Sequence, residues 1–151
     1  MEQTLILFKP DSIQRRLVGP ILDRYEKKGL QICAVKLLNV SQNMAEKLYL
    51  EHKNKPFFID LVKYITSAPI IAMVMKAPDA ILIARTLNGA TNARDALPGS
   101  IRGDFALSQR FNLVHASDSV ESAKREIPIF FNDNEILIYE MNLKDWISPG
   151  N

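Results

Sequence analysis

Apolar residues fall along this chain in blocks whose spacing changes from one block to the next. Leu5 to Phe8 is an unbroken apolar run, the pattern of a strand covered on both faces. Val18, Ile21, Leu22 and Tyr25 then recur at i, i+3, i+4 and i+7, one stripe of a helix. Pro20 suits its first turn, Lys27 and Lys28 its last, and Gly29 is placed to end it. Ile32 to Leu38 reads as a second buried strand. Ser41 is the expected N-cap of a helix with Ala45, Leu48, Tyr49 and His52 on its inner face. Pro56 opens another, carrying Phe58, Leu61, Val62 and Ile65, so the two form a helical hairpin inserted between strands. Ile70 to Met75 is the third strand, and Asp79 is expected to cap a helix of Ala80, Ile83, Ala84 and Leu87 that stops at Gly89.

Residues 90–112 carry little apolar periodicity and hold Pro98, Gly99 and Gly103, which predicts a long functional loop. Leu113 to His115 is a short strand. Asp118-Ser119-Val120-Glu121 has the form of a capping box opening a last main helix, with Val120, Ala123 and Ile127 on its buried side. Ile136, Leu137, Tyr139 and Trp146 predict a tail that packs on the body. The order of elements is that of an α+β, ferredoxin-like βαββαβ core with a helical-hairpin insertion. No repeat, linker or low-complexity run interrupts the sequence, so one domain over residues 1–151 is expected.

Composition narrows the picture further. A chain of 151 residues, 47% apolar and 24% charged, can bury a core without staples. Nineteen basic against seventeen acidic side chains leave a net charge of +2, too weak a field to favour a nucleic-acid partner. Cys33 is the only cysteine, which excludes an intrachain disulfide, and its apolar neighbours predict a buried, inert thiol. No stretch approaches the roughly 20 apolar residues needed to cross a bilayer. The start, Met1-Glu2-Gln3-Thr4-Leu5, is unlike a secretory signal, so a cytoplasmic protein with no membrane partner is expected.

The chemistry concentrates between Gly89 and Ser119. Gly89-Ala90-Thr91-Asn92 is followed by Pro98-Gly99-Ser100-Ile101-Arg102-Gly103-Asp104-Phe105 and by Asn112-Leu113-Val114-His115-Ala116-Ser117-Asp118-Ser119. Guanidinium groups, a hydrogen-bonding amide and one imidazole suit phosphoryl transfer, because a neutral imidazole nitrogen is a competent nucleophile near pH 7. The stretch resembles the active-site region of nucleoside diphosphate kinases, whose hallmark is Asn-x-x-His-Gly-Ser-Asp, with Ala116 standing where that family has glycine. Arg94 likewise stands where proline often follows Thr-Asn in the family's loop. Lys9-Pro10-Asp11 matches the family's opening Lys-Pro-Asp, and the similarity runs from Lys9 to the tail.

The resemblance implies a fold with a four-stranded antiparallel sheet and an enzyme moving a γ-phosphoryl group between nucleotides through a phosphorylated histidine. It assigns His115 as nucleophile, Glu126 as its helper and Lys9 as a cation meeting the phosphates. It also implies Arg85, Arg102 and Thr91 as phosphate ligands, Asn112 as a sugar-hydroxyl ligand, Tyr49 near the transferred phosphate and Phe57 stacked on the base. Without the resemblance, Lys9, Arg85 and Arg102 read equally as surface cations, Glu126 as an ordinary helix carboxylate and Tyr49 as core. Phe57 stands beside Phe58, and if Phe58 belongs to the core stripe, Phe57 is free to present its ring outward. Stacking without base-edge hydrogen bonds tolerates any base.

Mg²⁺ is the implied cofactor, bridging phosphate oxygens with no protein ligand assigned. A homo-oligomer is implied as well, a hexamer ahead of a tetramer. Arg102-Gly103-Asp104 is discounted as an adhesion tripeptide. No P-loop is present, and His52 and His115 lack zinc-ligand spacing, leaving His52 a structural residue.

Overall fold

Four strands, β1 (Glu2–Phe8), β2 (Gln31–Leu38), β3 (Ile70–Ala77) and β4 (Val114–Ala116), form one antiparallel sheet in the order β2-β3-β1-β4. The computed structural model describes residues 1–142 and 144–147. Its helices are α1 (Pro10–Gln14), α2 (Val18–Lys28), α3 (Gln42–Leu48), α4 (Phe58–Ile65), α5 (Ala80–Asn88), α6 (Ile101–Phe105), α7 (Val120–Phe130) and α8 (Lys144–Ile147). The architecture is the expected ferredoxin-like α+β core, with α3 and α4 as the inserted hairpin.

Alternation along the strands divides the core in two, because successive side chains leave a strand on opposite faces. Leu5, Leu7, Ala72 and Val74 face α3, α4 and α7, which contribute Ala45, Leu48, Val62, Ile65, Ala123, Ile127 and Phe130. Ile6, Phe8, Met73 and Met75 face α2 and α5, which contribute Ile21, Tyr25, Ala80 and Ala84. Burying each large apolar side chain contributes about 1.5–3 kcal/mol. Val114 and Ala116 belong to the second face. His115, between them and paired with Leu7, is therefore turned toward α7.

Several boundaries differ from the sequence pattern for identifiable reasons. α1, which begins with Pro10 at its first position, carries too little apolar periodicity to be read. α6 sits inside the long loop, capped by the Ser100 hydroxyl, which accepts from Gly103 N. α3 ends at Leu48, and a 3₁₀ turn over Leu50–His52 takes His52 off its inner face. Asp79 does not cap α5: it lies in the left-handed region, and a Glu2 carboxylate oxygen accepts from Ile81 N at 3.3 Å instead. The cap of α7 is Ser119, which accepts from Ser122 N at 3.0 Å, while Asp118 accepts from the Ser122 hydroxyl; Glu121 is not the reciprocal partner.

Val120 is not on the buried side of α7, being 39% exposed; Phe130 takes that place with Ala123 and Ile127. Leu113 precedes β4 with φ of +74° instead of starting it. The tail lies along β2 through polar contacts. Leu137 N donates to Cys33 O at 2.8 Å, the Tyr139 hydroxyl to Ile32 O at 2.6 Å and Gln31 to Tyr139 O at 2.9 Å. Ile136 packs against the core as expected, but Leu137, Tyr139 and Trp146 are exposed, Trp146 at 86%, which corrects the expectation for those three.

Candidate active site

Five converging segments build the site: the end of β1 with Lys9-Pro10-Asp11, the hairpin, α5 with the loop to Thr91, α6 with the stretch to Arg110, and the chain from Asn112 through β4 into α7. They enclose a cleft of about 520 Å³. Lys9, Tyr49, Phe57, Arg85, Thr91, Arg102, Asn112, His115 and Glu126 all line it, so every residue singled out for chemistry in the sequence meets in one place.

The turn ahead of β4 is fixed by the Lys-Pro-Asp segment. Leu113 is fully buried at positive φ, a conformation that costs a non-glycine residue unless its surroundings impose it. Asp11 accepts from Leu113 N at 3.1 Å, while Leu113 O accepts from Lys9 N at 2.9 Å and from the Ser12 hydroxyl. Asp11 also accepts from the Tyr64 hydroxyl, which ties this turn to α4. The register so fixed presents Asn112 and His115 to the cleft.

His115 Nε2 lies 3.0 Å from Glu126 Oε2, and the Ser117 hydroxyl donates to the same oxygen at 2.7 Å. Ser117 in turn accepts from Leu5 N at 3.2 Å, which anchors the set to β1. Burial raises the cost of charging Glu126, yet the hydrogen bonds from His115 and Ser117 outweigh it and hold the carboxyl below its ordinary range. An ionised carboxylate only accepts, so it fixes the imidazole proton on Nε2 and leaves the lone pair on Nδ1. Ala116, beside the histidine, has no positive φ and pairs with Ile6 in the sheet, so its methyl group imposes no backbone strain.

The cations differ in kind. Lys9 is buried and donates to Asn112 Oδ1 at 2.7 Å. Desolvation, with the nearby Arg102 charge adding to it and Asp11 opposing, pulls its pKa down to about 7. Arg102 is also buried, and its guanidinium donates to three backbone carbonyls: Asn112 O at 3.2 Å, Gly89 O at 2.9 Å and Val114 O at 2.6 Å. Burial lowers its pKa to about 10, with the Tyr25 ring opposing and Arg85 reinforcing the shift. Arg85 is exposed, and among the described residues it makes one long hydrogen bond, to Ala116 O at 3.4 Å. Asn112 spends both ends of its amide within the protein, accepting from Lys9 and donating to Thr91 O at 2.9 Å.

At the opposite end Phe57 precedes α4 and is 45% exposed, its ring 5.5 Å from that of His52. His52 lines the cleft wall, and among the described residues its Nδ1 is buried without a hydrogen-bond partner. The Tyr49 hydroxyl is likewise buried and unpartnered, and burial raises its pKa. Sequence reasoning also missed the clamp made by Asp11 and Ser12, whose only signal was adjacency to Lys9. Asp118, the last residue of the histidine motif, also lines the cleft, as do Asp60, Gln109 and Arg110, which no motif announces.

Comparison with known proteins agrees with this geometry. Residues 2–136 match the family model for nucleoside diphosphate kinase. A nucleoside diphosphate kinase of Archaeoglobus fulgidus is 54% identical over 147 residues, which is 97% of each chain. One from Bacillus licheniformis is 50% identical over 147 residues, covering 97% of this chain and 99% of that protein. Among solved structures, a halophilic nucleoside diphosphate kinase from Halobacterium salinarum in complex with CDP superposes with a TM-score of 0.94 at 42% identity, covering 97% of both chains. The chain belongs to the nucleoside diphosphate kinase family and is a phosphotransferase.

Proposed function

We propose that this chain transfers the γ-phosphoryl of a nucleoside triphosphate to a nucleoside diphosphate by a ping-pong route through phosphohistidine on His115. The observation that carries the reading is the pairing of His115 Nε2 with Glu126 at the wall of a cation-lined cleft, 3.0 Å apart. Nδ1 attacks the γ-phosphorus; a nitrogen–phosphorus bond forms, and the bond to the β–γ bridging oxygen breaks. The electron pair leaves with the diphosphate. Glu126 keeps the proton on Nε2 and balances the positive ring that develops, with Ser117 orienting the carboxylate. A second diphosphate then attacks the same phosphorus with its terminal oxygen and restores the free imidazole.

Lys9, Arg85, Arg102 and Thr91 bind the phosphates, and Asn112 bonds a sugar hydroxyl. Tyr49 bounds the space beside the transferred group. Phe57 stacks on the base, so purines and pyrimidines are both accepted.

The donor set fits a magnesium that keeps most of its water. Among the described residues no three His, Cys, Asp or Glu side chains cluster as a cage, while Asp118 is a carboxylate lining the cleft. Hydrogen bonds from Ser122 and Ser119 hold Asp118 below its ordinary pKa despite some burial. It is therefore ionised to meet such an ion or its water. An ion held there would neutralise charge on the phosphate oxygens.

We further take residues 1–151 as one domain that assembles into a homo-oligomer, a hexamer ahead of a tetramer. Val35 and Leu37 on the edge strand β2, with Leu97 and Leu107, are exposed apolar residues that self-association would cover. The nucleotide substrates and the unpaired Cys33 favour the cytoplasm. The test is transfer from γ-labelled ATP to GDP and to dCDP, for wild type beside His115→Ala. Transfer to both, with an acid-labile, alkali-stable labelled protein lost in the variant, is expected. Transfer without any labelled protein would refute the covalent route.

A further inference from the structure

Phe57, Asp60, Leu61 and Tyr64 share one face of the α4 segment, at i, i+3, i+4 and i+7. Opposite that face runs Gln109 to Phe111, a stretch without regular secondary structure that leads into Asn112. The two segments meet step by step. Nearest Asn112, Tyr64 and Phe111 pack edge to face with centroids 5.1 Å apart. One step outward, Arg110 donates to an Asp60 carboxylate oxygen at 2.7 Å. Continuing outward along both segments come Phe57 and Gln109, and both line the cleft. Among the described residues, the ion pair is therefore the last hydrogen bond between the two walls before the end of the cleft that holds Phe57.

We propose that Asp60 and Arg110 are positioning residues whose ion pair straps the loop wall to α4 and sets the width of the slot in which the nucleobase lies. The inference rests on the reading of Phe57 as the stacking platform. Neither residue touches the reacting atoms: His115, Lys9 and Arg102 are held by contacts that do not involve them. Their side chains are 50% and 55% exposed, and an ion pair so placed shifts an equilibrium about two- to fivefold. The strap thus acts on the affinity for nucleotide and leaves the transfer step alone.

Steady-state kinetics with ADP and with CDP as acceptors test this in the full chain, using Asp60→Asn, Arg110→Gln and the charge-swapped double variant Asp60→Arg/Arg110→Asp. Each single variant is expected to raise KM about two- to fivefold for both acceptors with kcat retained. The swapped double should return KM to near the wild-type value. Labelling of His115 by a base-free donor such as phosphoramidate should be unchanged in all three. A raised KM in Arg110→Gln beside an unchanged or lowered KM in Asp60→Asn would mean that Arg110 meets the nucleotide directly, and would overturn the strap. Failure of the swapped pair to restore KM would do the same. Phe57→Ala, measured in parallel, separates the two ideas. An unchanged KM there removes the stacking platform and the proposal with it, whereas a raised KM there beside unaffected single variants overturns the strap alone.

Discussion

Lys9 is expected to take up a proton when nucleotide binds. In the free cleft its pKa falls from an ordinary 10.5 to about 7, chiefly through burial, which corresponds to about 5 kcal/mol against the charged form. An incoming polyphosphate reverses the balance, because an anion against a buried amine favours the ammonium. At pH 8 about nine-tenths of free Lys9 is neutral, so binding ADP should consume about 0.9 proton, against about 0.5 at pH 7. Affinity should fall by about tenfold for each pH unit above 8 for as long as the bound amine stays charged. Isothermal titration of ADP at pH 8, in buffers of different ionisation enthalpy, reads the uptake directly. Lys9→Met provides the control and should show none.

The same group sets a stability trend in the empty protein. Its folded pKa lies below the unfolded one, so between about pH 7 and 10.5 the unfolded chain holds more protons and stability rises with pH. Below pH 7 both states are protonated and the full cost of burying the ammonium remains. Lys9→Met should therefore stabilise the empty protein more at pH 6 than at pH 10. Equal uptake in wild type and Lys9→Met, together with a pH-independent difference in Tm, would refute the reasoning.

Glu126→Gln keeps the shape of the helper but removes a charged acceptor, so kcat should drop about 10- to 100-fold with KM little changed, as measured by single-turnover labelling of His115. The Arg102→Ala substitution removes three hydrogen bonds to backbone carbonyls, two of them buried, which should cost about 3 kcal/mol and lower Tm by roughly 10 °C in a thermal scan. Arg85→Ala, at an exposed position with one long contact, should raise KM and leave Tm within a degree or two. Ala116→Gly should destabilise the protein by about 0.5–1 kcal/mol in a denaturant titration, since a strand residue with ordinary φ has no strain to relieve.

What was legible in the sequence follows from which forces act locally. β1, α2 and α4 were readable because one apolar stripe or run decides each of them, and the structure buries those residues fully or, for Val18, Leu22, Phe58 and Leu61, in part. α1 and α6 were not, because each is five residues long and held by a single proline or serine at its start, with no stripe to detect. Asp79 looked like a cap because caps are read from neighbours in sequence. The actual acceptor at the head of α5 is Glu2, 79 residues away.

The site divides along the same line. His115, Lys9 and Asn112 were found through a motif, whereas the bonds that define their chemistry join residues that sequence order keeps apart. Lys9 reaches Asn112 across 103 positions, and Asp11 holds Leu113 across 102. Arg102 shows what residue type alone leaves out. A loop arginine in a phosphate motif reads as a ligand first, yet its guanidinium is engaged by the carbonyls of Gly89, Asn112 and Val114. Those three bonds join α5, α6 and β4 around the cleft, so the side chain shapes the site as well as charging it. Lysine cannot replace it there, because one ammonium does not reproduce the planar fork that meets three acceptors at once. Arg102→Lys should accordingly lose most of the stability that Arg102→Ala loses while keeping the net charge, which separates the two roles of one residue.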